Sequence, residues 1–280
     1  MKPKLVIVFQ IFRSKNSFLT YLIFTMYKFQ ILVYFILLSG GVYAQETVQM
    51  VTDRPGQAES ASVMSIKSFQ VESGFSFEKV NANLNNVSYN TTLLRYGLVE
   101  NIELRLGFQY LGSYESLDGG DSDESGFGPL TAGAKFLLLA ESEQSPQLAL
   151  LSTLAIPNTG SSAFENDNLG ADIRINADYT LNQAMSLGAN FGVMWSGAKE
   201  EDFAVWMYAA VIGLSISEQV GAYAELYGFL PGEGKNDHRW DGGLTYAVSD
   251  NLQLDFSTGI GLSKVSPDFF ISLGLSIRMP

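Results

Sequence analysis

The sequence predicts an all-β protein, an antiparallel transmembrane β-barrel of about 12 strands with short periplasmic turns and longer external loops. Three observations carry that expectation. Apolar and polar residues alternate with period two through most of residues 68–279, the pattern of strands with two unlike faces. The connections between these stretches alternate short and long. Only 16% of residues are charged, where about 25% is usual, while Gly reaches 27, Tyr 13 and Phe 19. Lipid offers a backbone no hydrogen-bond partner, so a spanning sheet must close on itself and turn an apolar face outward. A soluble two-sheet sandwich would also alternate. Strand length, glycines on the polar face and aromatics at strand ends (Phe108, Tyr110, Tyr179, Trp195, Trp206, Tyr208) favour the barrel.

The chain opens with an export leader. Residues 1–44 hold five basic residues and no acidic one, whereas all 29 acidic residues follow. Lys28 precedes an apolar run over 31–38, and Val42-Tyr43-Ala44 offers the small residues that signal peptidase accepts, so the cut is placed after Ala44. Initiation at Met26 would shorten an unusually long leader. An uncleaved anchor over 18–38 is the rival reading. Residues 45–66 then form a periplasmic or lumen segment, and 67–280 the barrel.

Twelve strands are expected, near 68–79, 87–98, 101–111, 128–139, 147–157, 170–180, 185–196, 203–216, 220–230, 239–248, 252–263 and 268–279. In the third, Ile102, Leu104, Leu106, Phe108 and Tyr110 oppose Asn101, Glu103, Arg105, Gly107 and Gln109. Short turns fall at 99–101, 181–184, 217–219 and 249–251, with a longer one at 141–147, and polar loops alternate with them. An even strand number returns the chain to its starting side, so the last strand should pair with the first and both ends should lie at the periplasm.

Thr52-Asp53-Arg54-Pro55-Gly56-Gln57-Ala58-Glu59-Ser60, followed by Phe69-Gln70-Val71-Glu72-Ser73-Gly74-Phe75, resembles the opening of the outer-membrane transporter family named after the meta-pathway of phenol degradation. Leu93-Leu94-Arg95-Tyr96-Gly97-Leu98 and Asn101-Ile102-Glu103-Leu104-Arg105 are similar to it as well. So is Gly126-Phe127-Gly128-Pro129-Leu130 with Gly133-Ala134-Lys135. The resemblance covers most of 50–280 and implies a membrane β-barrel with a transport role. The family name is not proof that phenols are carried.

The inward parity collects Glu72, Glu78, Arg95, Glu103, Arg105, Lys135, Asp172, Arg174, Asp178, Glu225, Asp241, Asp255 and Arg278. They either line a channel or fill a narrow lumen as paired charges. A ladder of pairs is expected, because an unpaired charge in a partly dry lumen loses hydration. Asp53-Arg54-Pro55 has two readings, a lumen plug with Arg54 on an inward carboxylate or a periplasmic strap closing the barrel. The strap is the simpler one.

Several function classes fall away. A net charge of −12 is wrong for tracking nucleic acid. Absent Cys excludes thiol chemistry and disulfides, and a lone His238 excludes multi-histidine zinc sites. No Gly-x-Ser-x-Gly elbow is present, and His238 reads as a loop residue, so no enzyme, cofactor or metal is expected. The acidic stretch 114–125 lacks most of a calcium loop and reads as a solvated surface. The expected partners are outer-membrane lipid and a small solute. The expected function is passive passage of small, apolar or aromatic molecules, with a non-conducting scaffold or adhesion barrel as the alternative.

Overall fold

The computed structural model describes residues 50–117, 120–198 and 203–279; the leader, its cut after Ala44 and Asp118 lie outside them. Among the described residues the regular elements are thirteen strands. They are β1 Phe69–Lys79, β2 Leu84–Val99, β3 Ile102–Glu115, β4 Ser122–Phe127, β5 Thr131–Leu139, β6 Gln147–Ala155, β7 Gly170–Asn182, β8 Met185–Trp195, β9 Val205–Ser215, β10 Val220–Pro231, β11 Asp237–Ser249, β12 Leu252–Gly261 and β13 Phe269–Met279.

Twelve of them form a closed antiparallel ring in which each strand pairs with its sequence neighbours, β3 pairing with β5. The ring is sealed by β13 on β1, in register from Phe69↔Met279 to Lys79↔Phe269 without a slip. Closure removes the free sheet edges that lipid would not tolerate.

The thirteenth strand, β4, corrects the expected loop over 112–127. There β3 runs on to Glu115 and pairs with β4 from Tyr110↔Phe127 outward. In effect β4 and β5 are one wall strand broken at Gly128-Pro129-Leu130. Pro129 has no N–H to give a ladder. Gly128 N–H reaches Gln109 O at 3.1 Å, while Leu130 N–H turns to Thr159 Oγ1 at 2.9 Å.

Burial is inverted relative to a water-soluble protein. The largest fully buried side chains include Arg95, Lys135, Glu72, Glu103 and Glu225, whereas Leu104, Leu106, Ile173, Ile175, Phe191, Leu254, Phe256 and Leu273 are exposed. A continuous apolar exterior on a closed barrel is a lipid-facing belt, which places the barrel in the outer membrane. Aromatic pairs reinforce its outer face, with Phe191 stacked on Trp206 at 5.5 Å and Tyr110 edge-on to Phe127 at 5.1 Å.

On β10 the inward face is largely apolar as well. The buried Glu225 shares it with Tyr223, Tyr227 and Phe229, and small Ala222 and Ala224 take the outer face. The reason lies in the lumen wall: Tyr227 packs with Met207 and Ala209 of β9, joined by Met194, Phe229 and Ala58.

Candidate functional site

The site is the lumen, and the feature that organises it is the segment before β1. Residues 51–66 enter from the end that carries the short turns, reach inward, and leave by the same end. On entry, Val51 O accepts Gln70 Nε2 at 3.0 Å. At the deepest point, Gln57 and Ala58 donate their N–H groups to Glu225 at 2.8 and 2.6 Å. On the way out, Ala61 N–H reaches Asp178 at 2.7 Å and Met64 N–H reaches Glu103 at 2.9 Å. Ile66 then bridges to Gly97. The segment touches side chains from opposite walls of a closed barrel, so it lies within the lumen rather than across its mouth as a strap. Lacking a partner strand, its peptide groups are satisfied by wall side chains instead. Asn190 serves both polarities, accepting Glu59 N–H at 2.7 Å and donating to Glu59 O at 2.9 Å.

Asp53 is the electrostatic centre. Its Oδ2 accepts Arg105 Nη1 at 2.6 Å and lies 3.4 Å from Arg95 Nη1, while Oδ1 accepts Lys135 Nζ at 2.8 Å. Burial alone would raise this carboxyl, but the Arg95, Lys135 and Arg105 cations together hold it well below the usual carboxylate range. Arg95 also binds Glu72 at 2.7 Å and Glu103 at 2.8 Å, and Arg105 reaches Glu59 at 2.7 Å. Three wall cations thus meet two wall carboxylates, and the loop's Asp53 and Glu59 supply the remaining negative charge.

Arg54 makes a second anchor, donating to Asp255 Oδ1 and Ser272 Oγ at 3.0 Å each. It lies over Gly74 and Gly274, which face each other in register. A Cβ on either would collide with the guanidinium, so the two glycines form its cradle.

The remaining candidates are placed as follows. Arg174 pairs with Asp172 at 2.5 Å and donates to Gln57 O at 3.3 Å. Asp178 accepts Ser60 Oγ and Ala61 N–H and has no ion pair among the described residues, which departs from the expected ladder. Lys135 likewise pairs with the loop's Asp53 rather than with a wall carboxylate. Arg239 pairs with Asp237 at 2.6 Å and Glu78 at 3.0 Å. Glu225 and Asp241 are opposed in register and both buried. His238 is on β11 rather than in a loop, with Nδ1 2.9 Å from the Tyr208 hydroxyl. Arg278 is held at the β11–β12 turn by Asn251 Oδ1 at 2.9 Å.

Sequence reasoning passed over Glu59, Gln70, Asn190 and Tyr227. The first sits inside the 52–60 run, and the other three lie on inward parity but carry no charge, so position alone signalled them.

Cavities lie on either side of the loop. An outer vestibule of about 520 Å³ is floored by Pro55, Gly56 and Gln57. An inner one of about 370 Å³ lies between Val51, Met64, Arg95 and Arg278.

The family model described as "Putative MetA-pathway of phenol degradation" matches residues 52–279. The chain belongs to this family. No curated protein matches it. Among solved structures, the barrel is similar to an outer membrane channel from Pseudomonas putida F1, at 15% identity and a TM-score of 0.63, over 81% of this chain and 99% of that one. It is also similar to the KdgM porin, at 9% identity and a TM-score of 0.51, over 75% of this chain and 99% of that one. At such identities the likeness is one of fold. The family match spans the barrel and its lumen loop together.

Proposed function

We propose that the protein is an outer-membrane channel for passive passage of small solutes, apolar or aromatic in part, with residues 51–66 as its internal gate. The observation that carries this reading is the loop itself. It is held within the lumen by ion pairs and peptide hydrogen bonds rather than by the covalent wall, and it separates an outer vestibule from an inner cavity. A segment fixed only by such contacts can move without breaking the ring. The apolar stripe of Met194, Met207, Tyr227 and Phe229 gives a non-polar solute a surface along the path. The fold shared with an outer membrane channel and a porin supports the reading.

The test is solute-induced swelling of liposomes carrying the purified protein. Arg54→Ser with Asn190→Ala removes two anchors of the loop and should speed swelling over the unaltered protein. Absence of swelling in both would overturn the channel reading in favour of a scaffold barrel.

A further inference from the structure

We propose that the outer vestibule is a binding site for a small solute bearing a protonated amine on an aromatic or alkyl body, with Asp241 as its anchoring carboxylate. The inference rests on the channel reading only in that the solute enters from outside. In most of the lumen, carboxylates meet cations: Glu72 and Glu103 touch Arg95, Asp172 touches Arg174, and Asp255 touches Arg54. Glu225 and Asp241 face each other across β10 and β11 with no cation on either among the described residues.

The two differ in how they are satisfied. Glu225 spends both oxygens on the loop's Gln57 and Ala58 N–H groups. Asp241 lies in hydrogen-bond reach of Glu225 itself and otherwise has the Tyr223 hydroxyl, at a long 3.5 Å from Oδ2, while no donor group reaches its Oδ1. The residue is 1% exposed, yet it lines the vestibule. Ser257 Oγ, nearby on β12, is also without a partner. A buried carboxyl oxygen without a donor costs free energy that a charged donor would recover.

The rest of the vestibule narrows the ligand class. Arg239 is already held by Asp237 and Glu78, so an anion finds no free cation there. A bare divalent ion would want six or more oxygens, and no group of three or more carboxylate or histidine ligands is placed to hold one among the described residues. An ammonium needs only a few acceptors and brings its charge to the point where the lumen has none. Tyr227, Phe270 and Phe164 on the walls offer ring faces and apolar area to its body. The volume of about 520 Å³ is in the range of small-molecule sites.

Calorimetry on the refolded full barrel tests this with three probes of one shape: 2-phenylethylammonium, 2-phenylethanol and phenylacetate. The ammonium alone should bind, and Asp241→Asn should weaken it about tenfold or more. Asp241→Ser provides a second variant, and heat-modifiable gel mobility verifies that each is folded. Equal binding of the alcohol, unchanged binding in both folded variants, or displacement by equimolar sodium would overturn the proposal. Swelling with uncharged solutes reports on passage separately. Passage without ammonium binding refutes this site alone, and binding without passage refutes the channel.

Discussion

Arg95 is where the charged half of the lumen is most exposed to a single substitution. It is 1% exposed and contacts Asp53, Glu72 and Glu103 at once. Arg95→Met would leave Asp53 and Glu103 to Arg105 and Lys135 and take from Glu72 its ion-pair partner, and removing one partner of a buried ion pair costs about 3–5 kcal/mol. Arg174→Met should cost less, because the Asp172 side chain keeps 22% of its surface exposed and water can take up its charge. Urea unfolding of the two variants in one detergent should rank them in that order. Asp53 adds a pH dependence of definite sign. Its carboxyl titrates lower in the folded protein than in the unfolded chain, where about 3.9 is usual. Its contribution is therefore complete above about pH 4 and is lost as the pH falls below that toward the folded value. Limited proteolysis should find residues 51–66 protected at pH 5 and increasingly cut after a step to pH 3. Protection unchanged at pH 3 would mean that Asp53 does not hold the loop.

At the scale of elements, the wall and the loop are legible in the sequence to very different degrees. Parity alone places Glu72, Arg95, Glu103, Arg105, Lys135 and Arg174 on the inward face, where all six are buried. Those stretches are regular strand, as β3 is over 102–110. Alternation is local, and each strand's pattern can be read without its partner. The path of 51–66 has no such period. Its position depends on contacts such as Arg54 with Asp255 and Gln57 with Glu225, which join residues 201 and 168 apart in sequence. The break at Pro129 is hidden for a related reason, since a proline tells that a ladder bond is missing but not where the freed Leu130 N–H turns. Closure is an element-scale claim that can be tested cleanly, because the chain has no cysteine of its own. Val71 and Ile277 face each other in the β1–β13 register. V71C with I277C should crosslink under mild oxidation, while V71C with S276C, one position out of register, should not. Crosslinking of the shifted pair instead would move every inward residue of β13 to the lipid face.

The whole molecule has a lumen with two unlike walls. Cations gather on β2, β3 and β5, where Arg95, Arg105 and Lys135 hold the loop's acids. Around β8–β10 the lining is apolar, with Met194, Met207, Tyr227 and Phe229, and the neighbouring carboxylates Glu225 and Asp241 have no counter-charge among the described residues. The loop reverses the charge of the cationic wall, since its Asp53 and Glu59, added to Glu72 and Glu103, set four carboxylates against Arg95, Arg105 and Lys135. Weakening the loop through those two residues therefore has an electrical consequence as well as a steric one. In Asp53→Asn with Glu59→Gln, three cations face two carboxylates at the inner constriction, and a narrow, partly desolvated passage amplifies such a field. Conductance in planar bilayers should rise as the loop loosens, and the reversal potential in a potassium chloride gradient should move toward anions. Arg54→Ser loosens the same loop without removing an acid, so it should raise conductance while leaving selectivity nearer to that of the unaltered protein. A larger current with the same reversal potential in both variants would place the selecting constriction away from Asp53, at the carboxylates of the outer vestibule.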